Sequence, residues 1–302
     1  MSAELGALEL NRADDSSAIE YSREHIPHDR EVPPYTLTGF RRVVFLAFYV
    51  LIVAASIAGL IYTFYVSPLF GLLILPVCYV TNNLLFLTGH SRLHASFIEL
   101  REAEMSVLCH HSFIHHYRNT RVFHETWLET RMSYFVDARR YVDPIFRGMS
   151  VVIPLTSVVL YQIHPALGIA YFSSQYVAEL LQSTIHEWYH NPVRNRKAFY
   201  SFPVYWGFTL LEKIGLASTK RHTEHHRHQL DDLDNVEVWL DLRVPLLERL
   251  GSLLWERALT RYVPGQTNMT RFVSRAASMI AFVVFFLVSP LIYLVLFLKW
   301  FA

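Results

Sequence analysis

Cysteine is nearly absent. The 302 residues contain two, Cys78 and Cys109, and Cys78 stands inside an apolar run, so no disulfide framework is expected. No cysteine cluster exists to hold zinc or an iron–sulfur centre. An excess of one charge is also missing. Lys and Arg number 27 against 26 Asp and Glu, for a net charge of +1, which gives no basis for nucleic-acid binding. Internal repeats and low-complexity segments are missing too. The first residues are polar, of mixed charge, and end in Pro33-Pro34, so no secretory signal is expected there. Residues 1–40 are read as a polar tail, too short for a fused haem or flavin domain.

What the chain does have is apolar length. It is 52% hydrophobic, with a mean hydropathy of +0.23, more than an ordinary soluble protein of this size carries. No charged residue occurs from Val43 to Gly89, and Ser67-Pro68 divides that stretch. A helix over 43–66 would be about 36 Å long, enough for a hydrocarbon core of about 30 Å. Val43–Val66 and Leu69–Thr88 therefore predict a transmembrane hairpin. Ser150–Gln162 and Ala166–Gln182 predict a second, turning at His164-Pro165, with a short first arm. Ala276–Leu298 predicts a C-terminal membrane segment in which Pro290 introduces a kink or a re-entrant bend.

Charge placement orients these segments. The tail through Arg42 carries five Lys and Arg, residues 91–148 carry eight, and residues 191–275 carry thirteen, whereas the hairpin turns carry none. The positive-inside tendency places the tail and both large polar segments in the cytoplasm. FPVYWGFTLLEKIGL and VPLLERLGSLLWERAL look like amphipathic helices at the membrane surface. The expected fold is an all-α integral membrane protein. Two transmembrane helical hairpins and a C-terminal membrane segment, within one domain over 41–302, carry a histidine-rich helical cap on the cytoplasmic side.

Sixteen histidines are the main chemical signal. Residues four apart share a helix face, so His90/His94, His111/His115 and His186/His190 can each present two imidazoles together. Adjacent residues point about 100° apart on a helix. The doublets His115-His116 and His225-His226 can therefore each serve two neighbouring ions, and His222 completes the last cluster. Ten candidate ligands are too many for one metal, and two ions with about five nitrogens each is the natural division. Imidazole suits zinc, copper, iron and nickel, so the ligand type leaves the metal open. His25, His28 and His164 read as surface or internally satisfied residues. His110, His124 and His228 read as surface residues or partners of the ligands.

The series H-x3-H (90, 94), H-x3-H-H (111, 115, 116), H-x3-H (186, 190) and H-x2-H-H (222, 225, 226), behind membrane hairpins, resembles the membrane fatty acid desaturase superfamily. It is similar as well to the related alkane hydroxylases and lipid hydroxylases. The resemblance covers roughly residues 40 to 245. The first two spacings are closer to alkane hydroxylases, and HEWYH is closer to the lipid hydroxylases. The resemblance implies two iron ions at the cytoplasmic face, oxygen as co-substrate, and oxidation of an unactivated C–H bond in a fatty acyl or related lipid chain. Desaturation and hydroxylation both stand. Electrons would come from a separate redox protein docked on the basic face.

Two rival readings exist. HEWYH taken alone is the H-E-x-x-H pattern of a zinc protease, with His186 and His190 as ligands and Glu187 as base, but it leaves three clusters without purpose. A histidine-rich metal transporter would need polar residues along a membrane path, where the first hairpin offers Asn82, Asn83 and hydroxyls. Glu179 is the one charged residue between Ser150 and Ile185. It stands seven before His186 and eleven before His190, which puts all three on one helix face. It is the candidate catalytic carboxylate, as an extra ligand, proton relay or headgroup contact. Asn83 stands in the same relation to His90. Asp231, Asp232 and Asp234 follow the last cluster and read mainly as a solvated loop.

Overall fold

A computed structural model of the chain describes residues 39–102, 144–231, 240–263 and 266–300. Every regular element among them is a helix. In chain order these are α1 (Gly39–Val66), α2 (Pro68–Glu102), α3 (Pro144–Ile163), α4 (Pro165–His190), α5 (Val193–Phe199), α6 (Phe202–Lys213), α7 (Thr219–Asp231), α8 (Pro245–Leu259), α9 (Asn268–Phe282), a π-helical turn (Val283–Val288) and α10 (Ser289–Trp300). Three stretches are long and apolar enough to cross a membrane: Arg42–Val66, Pro68–Ala95 and Asn268–Trp300. Two of them are the arms of the first expected hairpin, parted by Ser67 alone. The segments of the second expected hairpin fall in helices α3 and α4. Its apolar part Val151–Ile163 is shorter than a span, and α4, broken by Gln175, Glu179 and Gln182, does not reach the hydropathy of one. Helix α2 also continues past Thr88, so His90 and His94 lie within it rather than beyond its end.

The described residues form two compact units. One contains 39–89, 144–184 and 274–300. Its interior is built from Phe70, Ile74, Leu167, Tyr171, Phe285 and Tyr293, all fully buried. Large apolar side chains such as Leu51, Ile61, Leu72, Val159 and Leu291 point outward, the reverse of a soluble protein. Small residues let the helices approach closely. A Cβ on Gly168 would stand 2.6 Å from the Ser157 carbonyl oxygen and 2.7 Å from the Tyr161 Cα. Backbone cannot yield as a flexible side chain does, so Gly168→Ala must push α3 away from α4. We expect it to lower stability by about 1–3 kcal/mol, read as a drop in the unfolding temperature in detergent.

Pro290 was expected to kink or turn back the last segment. It does not turn back: the segment stays helical through Pro290, with a π-helical turn just before it. In that register each N–H bonds five residues back, as Ser289 does to Val284. Proline has no N–H, so the Phe285 carbonyl loses its partner. The Tyr171 hydroxyl donates to it from α4 at 3.3 Å. A neighbouring side chain thus satisfies what the imino acid leaves open, as an apolar surround requires.

The second unit contains 90–102, 185–231, 240–263 and 266–273. Its connections are short and chemically defined. Helix α6 ends on Gly215 at φ +74°, with Leu216 N–H bonding Leu211 O at 2.9 Å and Gly215 N–H bonding Glu212 O at 3.2 Å. This left-handed helix stop suits glycine. It turns the chain into Ala217, which forms an isolated antiparallel bridge with Leu242. Helices α6 and α8 carry the expected apolar stripes. Phe202, Trp206, Leu210 and Ile214 are exposed at intervals of four, and Leu246, Leu250 and Leu253 are exposed on α8.

Candidate metal centre

Two groups of histidines converge within the second unit. The first joins His90 and His94 of α2 to His225 of α7. The second joins His186 and His190 of α4 to His222 of α7. Within each group the ligand atoms all lie within 4.8 Å of one another. The helical period explains half of this arrangement, since 90/94 and 186/190 are one turn apart. The other half comes from α7, which spans both groups. His225 faces His90 and His94, with ring centroids 4.9 and 5.0 Å away. His226, the next residue, turns to the second group, its Nε2 3.0 Å from His222 Nε2 and its ring 4.9 Å from that of His190. The doublet is divided between the two groups.

The nitrogen spacings fit a metal ion. His90 and His94 Nε2 are 3.0 Å apart, His190 and His222 Nε2 are 2.9 Å apart, and His222 and His226 Nε2 are 3.0 Å apart. Two ligands at right angles, each about 2.1 Å from an ion, stand about 3.0 Å apart, whereas a tetrahedral pair stands about 3.4 Å apart. The observed values are compatible with ligation and equally with N–H···N hydrogen bonds between the imidazoles. His90, His94 and His225 are no more than 2% exposed, so the first group is shielded from bulk water.

A carboxylate absent from the expected set supports the second group. Asp241 is buried and presents one oxygen to each of two imidazoles. Its Oδ2 is 2.6 Å from His186 Nδ1, and its Oδ1 is 3.1 Å from His222 Nδ1. Burial alone would raise the Asp241 carboxyl, but the two imidazoles outweigh it and hold the group well below the usual carboxylate range. Tyr189 lies flat on His222, with ring centroids 4.9 Å apart and 27° between planes. Its hydroxyl donates to the Asp241 backbone carbonyl at 2.6 Å and accepts from Ser218 N–H at 3.1 Å. Burial pushes the Tyr189 phenol up, so it stays a donor.

The frame behind α4 is polar as well. Arg196 of α5 donates from Nε to the Asn191 carbonyl at 2.9 Å, next in the chain to His190. Its guanidinium carbon stands 4.5 Å from the centre of the Trp188 ring, and Nη1 is 3.7 Å from Glu212 Oε2. Burial lowers the guanidinium and Glu212 partly restores it. Arg221 of α7 donates to Glu248 of α8 at 2.8 Å.

Several expected residues stand elsewhere. Glu179 was expected to face the bundle, but it is exposed and belongs to neither group. Asn83 is buried and its amide donates back to Tyr79 O at 2.8 Å on its own helix. Glu187 is buried at 1% exposure and is a member of neither group. His164 accepts from Ala166 N–H at 3.2 Å and so caps α4. His111, His115 and His116 lie outside the described residues, as do His110, His124, Asp232 and Asp234. Asp241 is not picked out by the sequence because it lies seven residues beyond the last aspartate of the acidic run 231–234. Its one sequence cue is a charge bracketed by Leu240 and Leu242. Comparisons with family models, curated proteins and solved structures give no match.

Proposed function

We propose that this chain is a membrane oxidase that uses two histidine-bound iron ions and oxygen to oxidise an unactivated C–H bond in a fatty acyl or related lipid chain, by desaturation or hydroxylation. One observation carries the reading: the adjacent residues His225 and His226 are divided between two groups of imidazoles, which a mononuclear site has no use for. The all-nitrogen donor set is compatible with iron, as it is with zinc, copper and nickel, and the resemblance points to iron among them. Three helices long and apolar enough to cross a membrane are compatible with a lipid substrate. The resemblance of the four histidine clusters supplies the reaction class.

Iron, when bound, would supply oxygen activation and the oxidation of the C–H bond. The protein's own contribution is positional. His90, His94 and His225 would hold one ion, and His186, His190, His222 and His226 the other, with His111, His115 and His116 as further candidates. Burial excludes water from the first group and protects the reaction from unproductive side paths. Electrons come from a separate redox protein, for which the basic segments offer a docking face on the cytoplasmic side.

The test is metal content with Mössbauer spectroscopy on iron-57 protein, followed by turnover of acyl lipids under labelled oxygen. About two nitrogen-ligated irons per chain and oxygen-dependent lipid oxidation support the reading. Label in the lipid product identifies hydroxylation, and an unlabelled alkene identifies desaturation. A second reading has its own observation, because His186 and His190 of HEWYH with His222 form a three-histidine group that could hold zinc, with Glu187 next to His186 in the sequence. One zinc, no iron, and peptide hydrolysis abolished in Glu187→Gln would establish that protease and end the oxidase proposal.

A further inference from the structure

We propose that Asp241 is a positioning residue that fixes the tautomer of His186 and His222 together, and so determines the metal affinity of the second group. The inference rests on the metal-binding reading of that group but needs neither iron nor oxygen chemistry.

The argument starts from donor inventory. A carboxylate offers acceptors only. Each Asp241 oxygen faces one Nδ1, at 2.6 Å for His186 and 3.1 Å for His222, so both Nδ1 atoms must carry the proton. Both Nε2 atoms are then lone-pair acceptors. At His222 that lone pair faces Nε2 of His190 at 2.9 Å and of His226 at 3.0 Å. Without an ion, His190 or His226 can donate Nε2–H to that lone pair; with their own Nε2 deprotonated, the same three nitrogens can ligate a cation. One side chain thus sets the metal-facing atom of two imidazoles that belong to different helices, α4 and α7.

The carboxylate is itself held from the backbone. Leu242 is bridged to Ala217, Arg243 N–H bonds Leu216 O at 2.8 Å, and Tyr189 bonds the Asp241 carbonyl. Asp241 therefore arrives at a set place rather than adapting to the imidazoles. This is what orientation of a ligand pair requires.

Asparagine at this position makes a sharp test, because it keeps the shape and changes the inventory. In Asp241→Asn the amide oxygen can accept from one Nδ1–H, but the NH2 must face the other imidazole. That imidazole can meet it only with an unprotonated Nδ1, which moves its proton to Nε2 and removes a ligand. The experiment uses the full chain in nanodiscs, with cobalt(II) as the probe ion followed by its absorption bands. Ring nitrogen-15 shifts of histidine in the metal-free protein report the tautomers directly. Leu242→Ala serves as the comparison, since it loosens the same bridge without touching an imidazole.

We expect Asp241→Asn to weaken one of two cobalt sites by about 10–100-fold and leave the other unchanged. One histidine in the metal-free protein should convert from the Nδ1–H to the Nε2–H form. Leu242→Ala should lower the unfolding temperature with both tautomers kept. Wild-type cobalt affinity at both sites in Asp241→Asn, or unchanged nitrogen-15 shifts, would overturn the proposal. So would equal losses at both sites that Leu242→Ala reproduces. A protein that binds cobalt as expected but holds no iron would refute the oxidase and leave this proposal standing.

Discussion

Replacing His225 with alanine is expected to remove one bound metal ion and leave the other, while replacing the adjacent His226 weakens the opposite ion. His225 is the sole member of the first group on α7, and its loss leaves His90 and His94 from one helix. Loss of an outer partner costs a metal site about 10–100-fold, and loss of one of three ligands costs more. Occupancy should fall from about two ions per chain to about one. His226→Ala leaves His186, His190 and His222 together, so the second ion weakens without being lost. Elemental analysis and cobalt(II) titration of each variant measure both outcomes. A protein with a single zinc on HEWYH would keep its metal in His225→Ala, and that result would sink the two-ion reading.

The second large effect concerns the frame. Arg196→Met is expected to destabilise the protein by about 2–4 kcal/mol. Methionine keeps the apolar stem but removes the charged hydrogen bond to Asn191, worth about 1.5–3 kcal/mol. It also removes the cation over Trp188, worth about 0.5–2 kcal/mol. The Glu212 pair adds little, because that carboxylate is 27% exposed and 3.7 Å away, and Thr219 continues to donate to it. Asn191 follows His190, so the second metal site should weaken along with the helix end while the first does not. Thermal unfolding and site-resolved cobalt titration check the two parts. A loss below about 0.5 kcal/mol, the size of an ordinary surface change, would show that the arginine is not the clamp its contacts describe.

Particular residues show what was legible in the chain. The uncharged run from Val43 to Gly89 implied two long apolar helices, and both are present. Hydropathy is a sum over neighbours, so it reads directly. The breadth of the second hairpin was overestimated. Gln175, Glu179 and Gln182 lower the hydropathy of α4, and among the described residues three helices are long and apolar enough to cross a membrane, against five expected segments. Pro290 leaves the Phe285 carbonyl without an N–H partner, and the donor that meets it is Tyr171, more than a hundred residues away. A proline's missing N–H is local knowledge, but the donor that replaces it is not. Glu179 shows a related limit. Its spacing from His186 held on the helix, yet which face of that helix is covered is decided by other segments, and Glu179 is exposed.

The amino-acid sequence by itself determined the helical, membrane-compatible character of the chain, the paired presentation of His90/His94 and His186/His190, and the divergence of His225 from His226. Each follows from the 3.6-residue period or from local hydropathy, which need no partner to be true. Only the tertiary structure decided which pairs meet. It brought His225 to the pair on α2 and His222 to the pair on α4, and it delivered Asp241 to the rear of two imidazoles. Those encounters depend on how helices far apart in the chain pack, and on one bridge between Ala217 and Leu242. No periodicity within a segment encodes the position of another segment, so candidate ligands could be named from the sequence and the grouping of the described ones could not.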